Sequence, residues 1–585
     1  MTLQIPLRRS TAGPQYAGWT PRAVAVEGLG SRTLAGQRVP VSGGVTLNAD
    51  VYTPATPGRY PAVVSFAAYS TEWLTAGIPT GSNEIGSPPV FTDRGYCPVI
   101  VERRGTGRSG GEPGMFFAEQ DVDDHEAVIA WAAEQPWCTG EVVLFGTSYY
   151  GMTQPQVAAR KPPALKAFFA NEICTDFVRQ LQQFAGVPNS FFLALWLGAN
   201  FTDARDAGRM SPNRRALISR LTNGPLHPLL ERLVHRNVGT MFRRFMAATP
   251  STWAREIFAR WTFDEKTRES STIPEGSTGV LGEIDVPFVV VQNLGYFNFH
   301  QYGTYDLFDN AATPPENKWM ILGRAEYDLP VFAWQGEALA FFDHVLRGTD
   351  TGYDDLPRVR YWVDGAAEYA SADAFPPPEG QARRLYLGSA GADHVTHRLT
   401  EETSAAGSNS WAAVPLGVPM PGGLDELANQ VLSFELPVTE DLRFAGAVTA
   451  RLTVSSTEID SFVLARLSRI DTTGAAHQLS LGAMRPVCRR EDTPRSTAVE
   501  IAIDPGAREP LTPHEPVVLR FSLTPGPVLL RAGEVLRLDL ASRTDLVRKD
   551  PGEGYPQFDL PVPPYLARNT VHFDGQSWID LTRVP

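Results

Sequence analysis

Glu141-Val142-Val143-Leu144-Phe145-Gly146-Thr147-Ser148-Tyr149-Tyr150-Gly151 passes from a short β-branched run, through a glycine and two hydroxyl residues, into the stretch 149–162, which reads as a helix ending at Pro162. A serine between a buried strand and a helix, with small residues beside it, has the form of a nucleophile elbow. There the strained turn exposes Oγ, and the helix N-terminus favours negative charge. The stretch departs from the general Gly-x-Ser-x-Gly form, because Tyr150 stands two residues after Ser148 and the glycine comes one later. The bland alternative is an ordinary serine-bearing turn.

Outward from this point the texture alternates. Residues 45–54, 60–69 and 95–105 are apolar runs punctuated by Gly, Pro or charge, as buried strands are. Residues 119–135 have helical period, with Val122, Ala127, Val128 and Trp131 on or near one face. Strand texture returns at 286–297 and 318–327, and a helix follows over 334–348. Alternating strands and helices predict an α/β unit with a mostly parallel sheet. Between its halves, about 171–272 carries helical spacing and reads as an inserted cap. After about Thr351 short alternating runs such as 445–456, 461–471 and 534–542 predict an antiparallel, jelly-roll-like β-sandwich. The expected organisation is a core over 1–170 and 273–350, a helical cap over 171–272 and a sandwich over 351–585.

Composition narrows the function. The 585 residues carry a net charge of −13, which disfavours nucleic acid and anionic membranes as partners. No apolar run is long enough to span a bilayer, and the N-terminus has no apolar signal core, so the expectation is a soluble cytoplasmic protein. Cys97, Cys138, Cys174 and Cys488 are widely spaced and are read as reduced core residues. Zinc spacing, a phosphate loop and a dinucleotide fingerprint are all missing, so neither cofactor nor metal is expected.

Several further motifs stand in a consistent order: Arg104-Gly105-Thr106-Gly107-Arg108-Ser109-Gly110-Gly111, then Glu134-Gln135-Pro136-Trp137, then the elbow, then Phe341-Phe342-Asp343 followed by Leu346-Arg347-Gly348, then Asp460-Ser461-Phe462-Val463 and Gly482-Ala483-Met484-Arg485. In this set the chain resembles the cocaine esterase / X-Pro dipeptidyl-peptidase family from about residue 40 to 580, the cap being least similar. The resemblance implies an α/β-hydrolase core with a C-terminal sandwich and a serine nucleophile, Ser148. It also implies an oxyanion hole made by the Tyr69 hydroxyl and the Tyr149 backbone N–H. Removing one such donor typically costs about 3–4 kcal/mol of transition-state stabilisation. A plain core role for Tyr69 is the alternative.

The other two triad slots break the pattern. The family's acid segment reads Gly295-Tyr296-Phe297-Asn298 here, and its base segment reads Gly323-Arg324-Ala325-Glu326-Tyr327. Tyrosine, with a pKa of about 10, leaves only about one phenolate in a thousand at neutral pH, and asparagine cannot stabilise an imidazolium as aspartate does. A neutral Asn298–Tyr327 pair would at least avoid an unpaired buried carboxylate. His300, two residues after Asn298, is the substitute base to consider, with Asp306, Asp309, Glu326 and Asp328 nearby in sequence. His125 and His344 are expected to be structural. Phe184, Phe191, Phe192, Trp196 and Trp73 could line an apolar pocket or simply pack.

Three functions remain open. The first is serine hydrolysis of an ester, amide or other acyl substrate. The second is a non-hydrolytic cyclisation, elimination or acyl transfer on the same scaffold, with Tyr327 as a neutral acid. The third is a catalytically silent binding protein. The expected partner is a small-molecule acyl substrate, and a sandwich packed on a core offers surface for homo-oligomer formation.

Overall fold

The computed structural model describes residues 16–71, 84–189, 213, 217, 278–295, 300, 302–324, 330–389, 397–403, 406–415, 429–504, 506–543, 563–573 and 575–585. Its first sheet has ten strands: β1 (Arg32–Pro40), β2 (Thr46–Thr53), β3 (Tyr60–Ala67), β4 (Cys97–Glu102), β5 (Cys138–Thr147), β6 (Leu165–Asn171), β7 (Phe288–Asn293), β8 (Lys318–Gly323), β9 (Val359–Val363) and β10 (Glu368–Ala372). Their spatial order is β1-β2-β4-β3-β5-β6-β7-β8-β9-β10. Pairing is parallel from β4 through β3 and β5 to β9, and antiparallel at both ends.

The continuous apolar runs follow from burial on both faces. In β5, Val142 and Leu144 enter one core while Val143 and Phe145 enter the other, because strand side chains alternate. Phe168 and Phe169 of β6 divide in the same way, as do Val290 and Val291 of β7. Helices α2 (Glu119–Ala133) and α3 (Tyr149–Ala158) cover the first face with Val128, Ile129, Met152 and Val157. Helix α1 (Pro88–Asp93) supplies Phe91 to the second face, and α5 (Pro330–Arg347) supplies Trp334, Phe341 and Phe342. Helix α4 (Gly303–Asn310) follows β7.

Strands β9 and β10 lie beyond the expected end of the core at 350, yet they hydrogen-bond onto the first sheet through Met320↔Val359 and Val359↔Ala372. Alternation identifies a strand but not the strand it will pair with. The remaining strands, from Gln381–Ser389 to Trp578–Val584, form a second β-rich unit around Leu385, Phe434, Leu452, Leu538 and Ile579. Of the cap expected over 171–272, the stretch 190–272 lies outside the described residues apart from 213 and 217. Its described start carries a hairpin, Gln183–Phe184 with Val187–Pro188, whose turn accepts the Arg485 N–H at the Ala185 carbonyl (2.9 Å). All four cysteines are buried. Among the described residues no helix is long and apolar enough to cross a membrane.

The Phe341-Phe342-Asp343 motif has a clear physical role. The two rings fill the core, while the fully buried Asp343 carboxylate takes hydrogen bonds from Arg94 (2.9 Å), Arg347 (2.8 Å) and the Tyr96 hydroxyl (2.8 Å). Asp343→Ala strands two largely buried guanidinium groups and is expected to cost about 3 kcal/mol. Urea unfolding of the variant beside wild type checks this; a loss under about 1 kcal/mol would mean that water replaces the carboxylate.

Candidate active site

Ser148 has φ 55° and ψ −118°, a strained backbone for a residue with a Cβ, at the junction of β5 and α3. Its N–H donates to the Asn171 carbonyl (3.0 Å), and its own carbonyl accepts the Met152 N–H (2.7 Å). The departure from Gly-x-Ser-x-Gly has a steric cause. A Cβ on Gly146 would run into the Cβ of Tyr150, and a Cβ on Gly151 would lie 2.5 Å from the Asn171 carbonyl oxygen. The close approach of helix to strand therefore falls on Gly151, and Tyr150 occupies the space that Gly146 leaves open.

His300 comes off the end of β7 in a left-handed conformation, φ 60°, and is buried. Its Nε2 lies 3.3 Å from Ser148 Oγ, at the long end of hydrogen-bond range. The His300 backbone N–H donates to the Gln180 carbonyl (3.3 Å). Burial pushes the imidazole pKa down to about 3, so the ring is neutral at ordinary pH and can accept a proton from a hydroxyl. Asn298 and Tyr327 lie outside the described residues, as do Glu326 and Asp328.

The other sequence candidates have structural surroundings. Asp306 accepts the Thr175 hydroxyl (2.6 Å) and the Asn310 amide (3.0 Å). Burial raises the Asp309 carboxyl to about 6, opposed by Lys318. His125 stacks on Phe66, with ring centroids 4.8 Å apart, and burial lowers its pKa to about 3. His344 sits 3.3 Å from Asp354. Of the aromatic set, Phe184 lines a cleft with Tyr302, Arg179 and Glu500 where the hairpin meets the second β-rich unit; Trp73, Phe191, Phe192 and Trp196 lie outside the described residues.

Tyr69 follows β3 and is buried beside the elbow. Its ring contacts those of Tyr149 (5.9 Å) and Tyr150 (5.7 Å), and Tyr149 is the first residue of α3. The segment after Tyr69 is tied to Glu102, whose carboxylate accepts the Ser70 hydroxyl (3.2 Å), the Thr71 N–H (2.8 Å) and the Thr71 hydroxyl (3.0 Å). The same carboxylate accepts the Arg108 N–H (2.6 Å), so the glycine-rich 104–111 loop wraps an internal anion. Burial raises the Glu102 pKa while these N–H and O–H donors oppose the rise.

Glu102 and Glu172 were invisible in sequence, because a charge directly after an apolar strand reads as the solvated end of that strand. Both are fully buried. Glu172, with φ 51°, accepts the Asn293 N–H (2.5 Å) and the Gln292 side-chain amide (2.6 Å). Among the described residues no cluster of three or more His, Cys, Asp or Glu is arranged to hold a metal ion.

The chain as a whole is similar to known proteins. Residues 43–326 match the family model described as X-Pro dipeptidyl-peptidase (S15 family), and 351–579 match that of the X-Pro dipeptidyl-peptidase C-terminal non-catalytic domain. The cocaine esterase of Rhodococcus sp. is 26% identical over 515 residues, covering 76% of this chain and 82% of that protein. In structure, a CocE/NonD family hydrolase from Staphylococcus aureus aligns with a TM-score of 0.73 at 22% identity, covering 94% of this chain and 93% of the other. An α-amino acid ester hydrolase aligns with a TM-score of 0.67 at 18% identity, covering 96% and 98%.

A glycine-to-alanine change inside a helix ordinarily gains up to about 1 kcal/mol. Gly151→Ala is expected to do the reverse, because the new methyl meets the Asn171 backbone. The predicted result is a melting temperature lowered by several degrees, measured by differential scanning calorimetry; an unchanged or higher value would refute the close approach.

Proposed function

Because the chain belongs to the cocaine esterase / X-Pro dipeptidyl-peptidase family of serine esterase- and peptidase-type α/β-hydrolases, we propose that it cleaves an acyl ester through a Ser148–His300 pair. The observation that carries this reading is the 3.3 Å approach of His300 Nε2 to Ser148 Oγ. In this reading the general base is His300, after β7, and not the residue in the family's base slot, Tyr327.

The steps are those of acyl transfer through a covalent intermediate. Ser148 Oγ bonds to the acyl carbon as its proton passes to His300 Nε2. The carbonyl oxygen becomes an oxyanion facing the Tyr69 hydroxyl and the Tyr149 N–H. The bond to the leaving alkoxide then breaks, and that alkoxide takes the proton from His300. Water repeats the sequence and releases the acid, returning Ser148 and neutral His300. Asn298 and Tyr327, both uncharged residue types, would polarise the serine or pass on a proton in this reading.

A second reading has its own support. A histidine whose pKa is pushed down to about 3 accepts a proton weakly. That favours carbonyl polarisation without water, as in cyclisation, elimination or acyl transfer. Product masses separate the two, since hydrolysis adds one water to the substrate mass.

The deciding experiment is fluorophosphonate labelling read by intact mass. Wild type is expected to gain the probe on Ser148 with loss of fluoride, and Ser148→Ala to gain nothing. His300→Ala should slow labelling by about a hundredfold or more, the usual scale of a lost general base, and Tyr327→Phe by much less. Folded wild type that never labels would leave carbonyl polarisation without a nucleophile, or a binding role.

The pH dependence has a defined sign. The base form of His300 persists down to about pH 3, so the labelling rate should stay level from pH 8 to pH 5 instead of falling with a midpoint near 6.5. Stability behaves differently. His125 and His300 both have folded pKa values depressed to about 3. The unfolded chain therefore binds more protons below about 6.5, and stability falls as pH drops from there towards 3. A rate profile with a midpoint at 6.5 in protein shown to be folded would count against a buried His300 base.

A further inference from the structure

We propose that Glu172 is a positioning residue for the Ser148–His300 pair, its buried carboxyl holding both ends of the loop that brings His300 to the serine. The inference rests on the Ser148–His300 reading and extends it. Residues 294–302 join β7 to α4 and include His300. On the entering side, Glu172 accepts the Asn293 N–H (2.5 Å) and the Gln292 side-chain amide (2.6 Å). On the leaving side, the Gln292 side-chain amide oxygen accepts the Thr304 hydroxyl (3.3 Å), so the same glutamate reaches the first turn of α4 through one intermediary side chain. The Glu172 N–H donates to Val291 (2.9 Å), which fixes its own backbone against β7.

The elbow is tied to the same point. Asn171, directly before Glu172, accepts the Ser148 N–H (3.0 Å). Gly151 and Gly303 press on this short segment from two sides: an added Cβ would lie 2.5 Å from the Asn171 oxygen in the first case and 2.5 Å from the Ile173 oxygen in the second. A left-handed backbone at a glutamate, φ 51°, is unfavourable, and it turns the side chain back into the sheet end instead of towards solvent. No described contact joins Glu172 to Ser148 or His300 directly, so its action passes through the loop. Catalysis is sensitive to such placement, because displacements near 1 Å cost about a hundredfold in rate.

The experiment is a double-mutant cycle on the labelling rate, using Glu172→Gln and His300→Ala alone and together in the full chain, with a fluorophosphonate probe. Glutamine keeps the volume but turns an amide N–H₂ towards one of two N–H donors. The expected result is a drop of about tenfold or more for E172Q in the wild-type background and less than about twofold in the His300→Ala background. An equal factor in both backgrounds would mean a general structural role and overturn the inference alone. A folded E172Q that labels at the wild-type rate overturns it too. If His300→Ala itself labels normally, the Ser148–His300 reading fails and the inference with it. Should E172Q not fold, Thr304→Val removes only the outer hydrogen bond and runs the same cycle, with a smaller factor of about threefold expected and the same criteria for rejection.

Discussion

The hydrogen bond from the Ser148 N–H to the Asn171 carbonyl, at 3.0 Å, joins the exit of β6 to the strained turn between β5 and α3. Much else depends on that exit. Helix α3 can approach it only through the bare Cα of Gly151, and α4 only through that of Gly303. Glu172, one residue on, is bonded to the end of β7. The serine and the histidine come from strands that are not neighbours, β5 and β7, and β6 lies between them. The segment 171–174 is thus the common ground on which Ser148 and His300 are registered.

Charge is handled unusually around this site. The described surroundings of Ser148 and His300 contain a neutral imidazole and two buried carboxyls, Glu102 and Glu172, whose pKa values are raised by burial. Each carboxyl is met by N–H donors and not by a close-packed cation, apart from Arg108 at 3.9 Å from Glu102. Full ion pairs occur elsewhere in the unit, as at Asp343 with its two arginines, Arg103 with Asp121 (2.8 Å) and Arg360 with Glu337 (2.7 Å). Asn298 and Tyr327, proposed for the two remaining triad slots, are likewise uncharged residue types. With no imidazolium formed in the resting state, a carboxylate beside it would lack its compensating partner.

The second β-rich unit bears on the site through the hairpin at 183–188. Arg179, one residue before Gln180, bonds Asp176 (2.6 Å) and lies 3.8 Å from Glu500 of that unit. Gln180 in turn accepts the His300 N–H. Burial pushes Glu500 up to about 7, with Arg179 opposing and Asp306 and Asp176 adding to the rise. The contact chain from β-sandwich residue to histidine backbone shows why a domain described as non-catalytic can remain mechanically continuous with the loop beside the serine.

What the amino-acid sequence determined by itself was local and periodic. The run Glu141–Gly151 identified the elbow, because a buried strand, a tight turn and a helix each leave their mark within a few residues. Alternating apolar runs identified two classes of strand, and ordered motifs tied the chain to its family. What the tertiary structure alone decided was partnership between distant residues. It joined β9 and β10 to the first sheet, although their alternation resembled that of the later strands. It selected His300 from several histidines and carboxylates by setting its Nε2 beside Ser148, 152 positions away in the chain. It turned Glu172 and Glu102 inward, where sequence reads a charge after a strand as solvated. These outcomes depend on which strands lie side by side and on where their ends are clasped, and no short-range pattern encodes that.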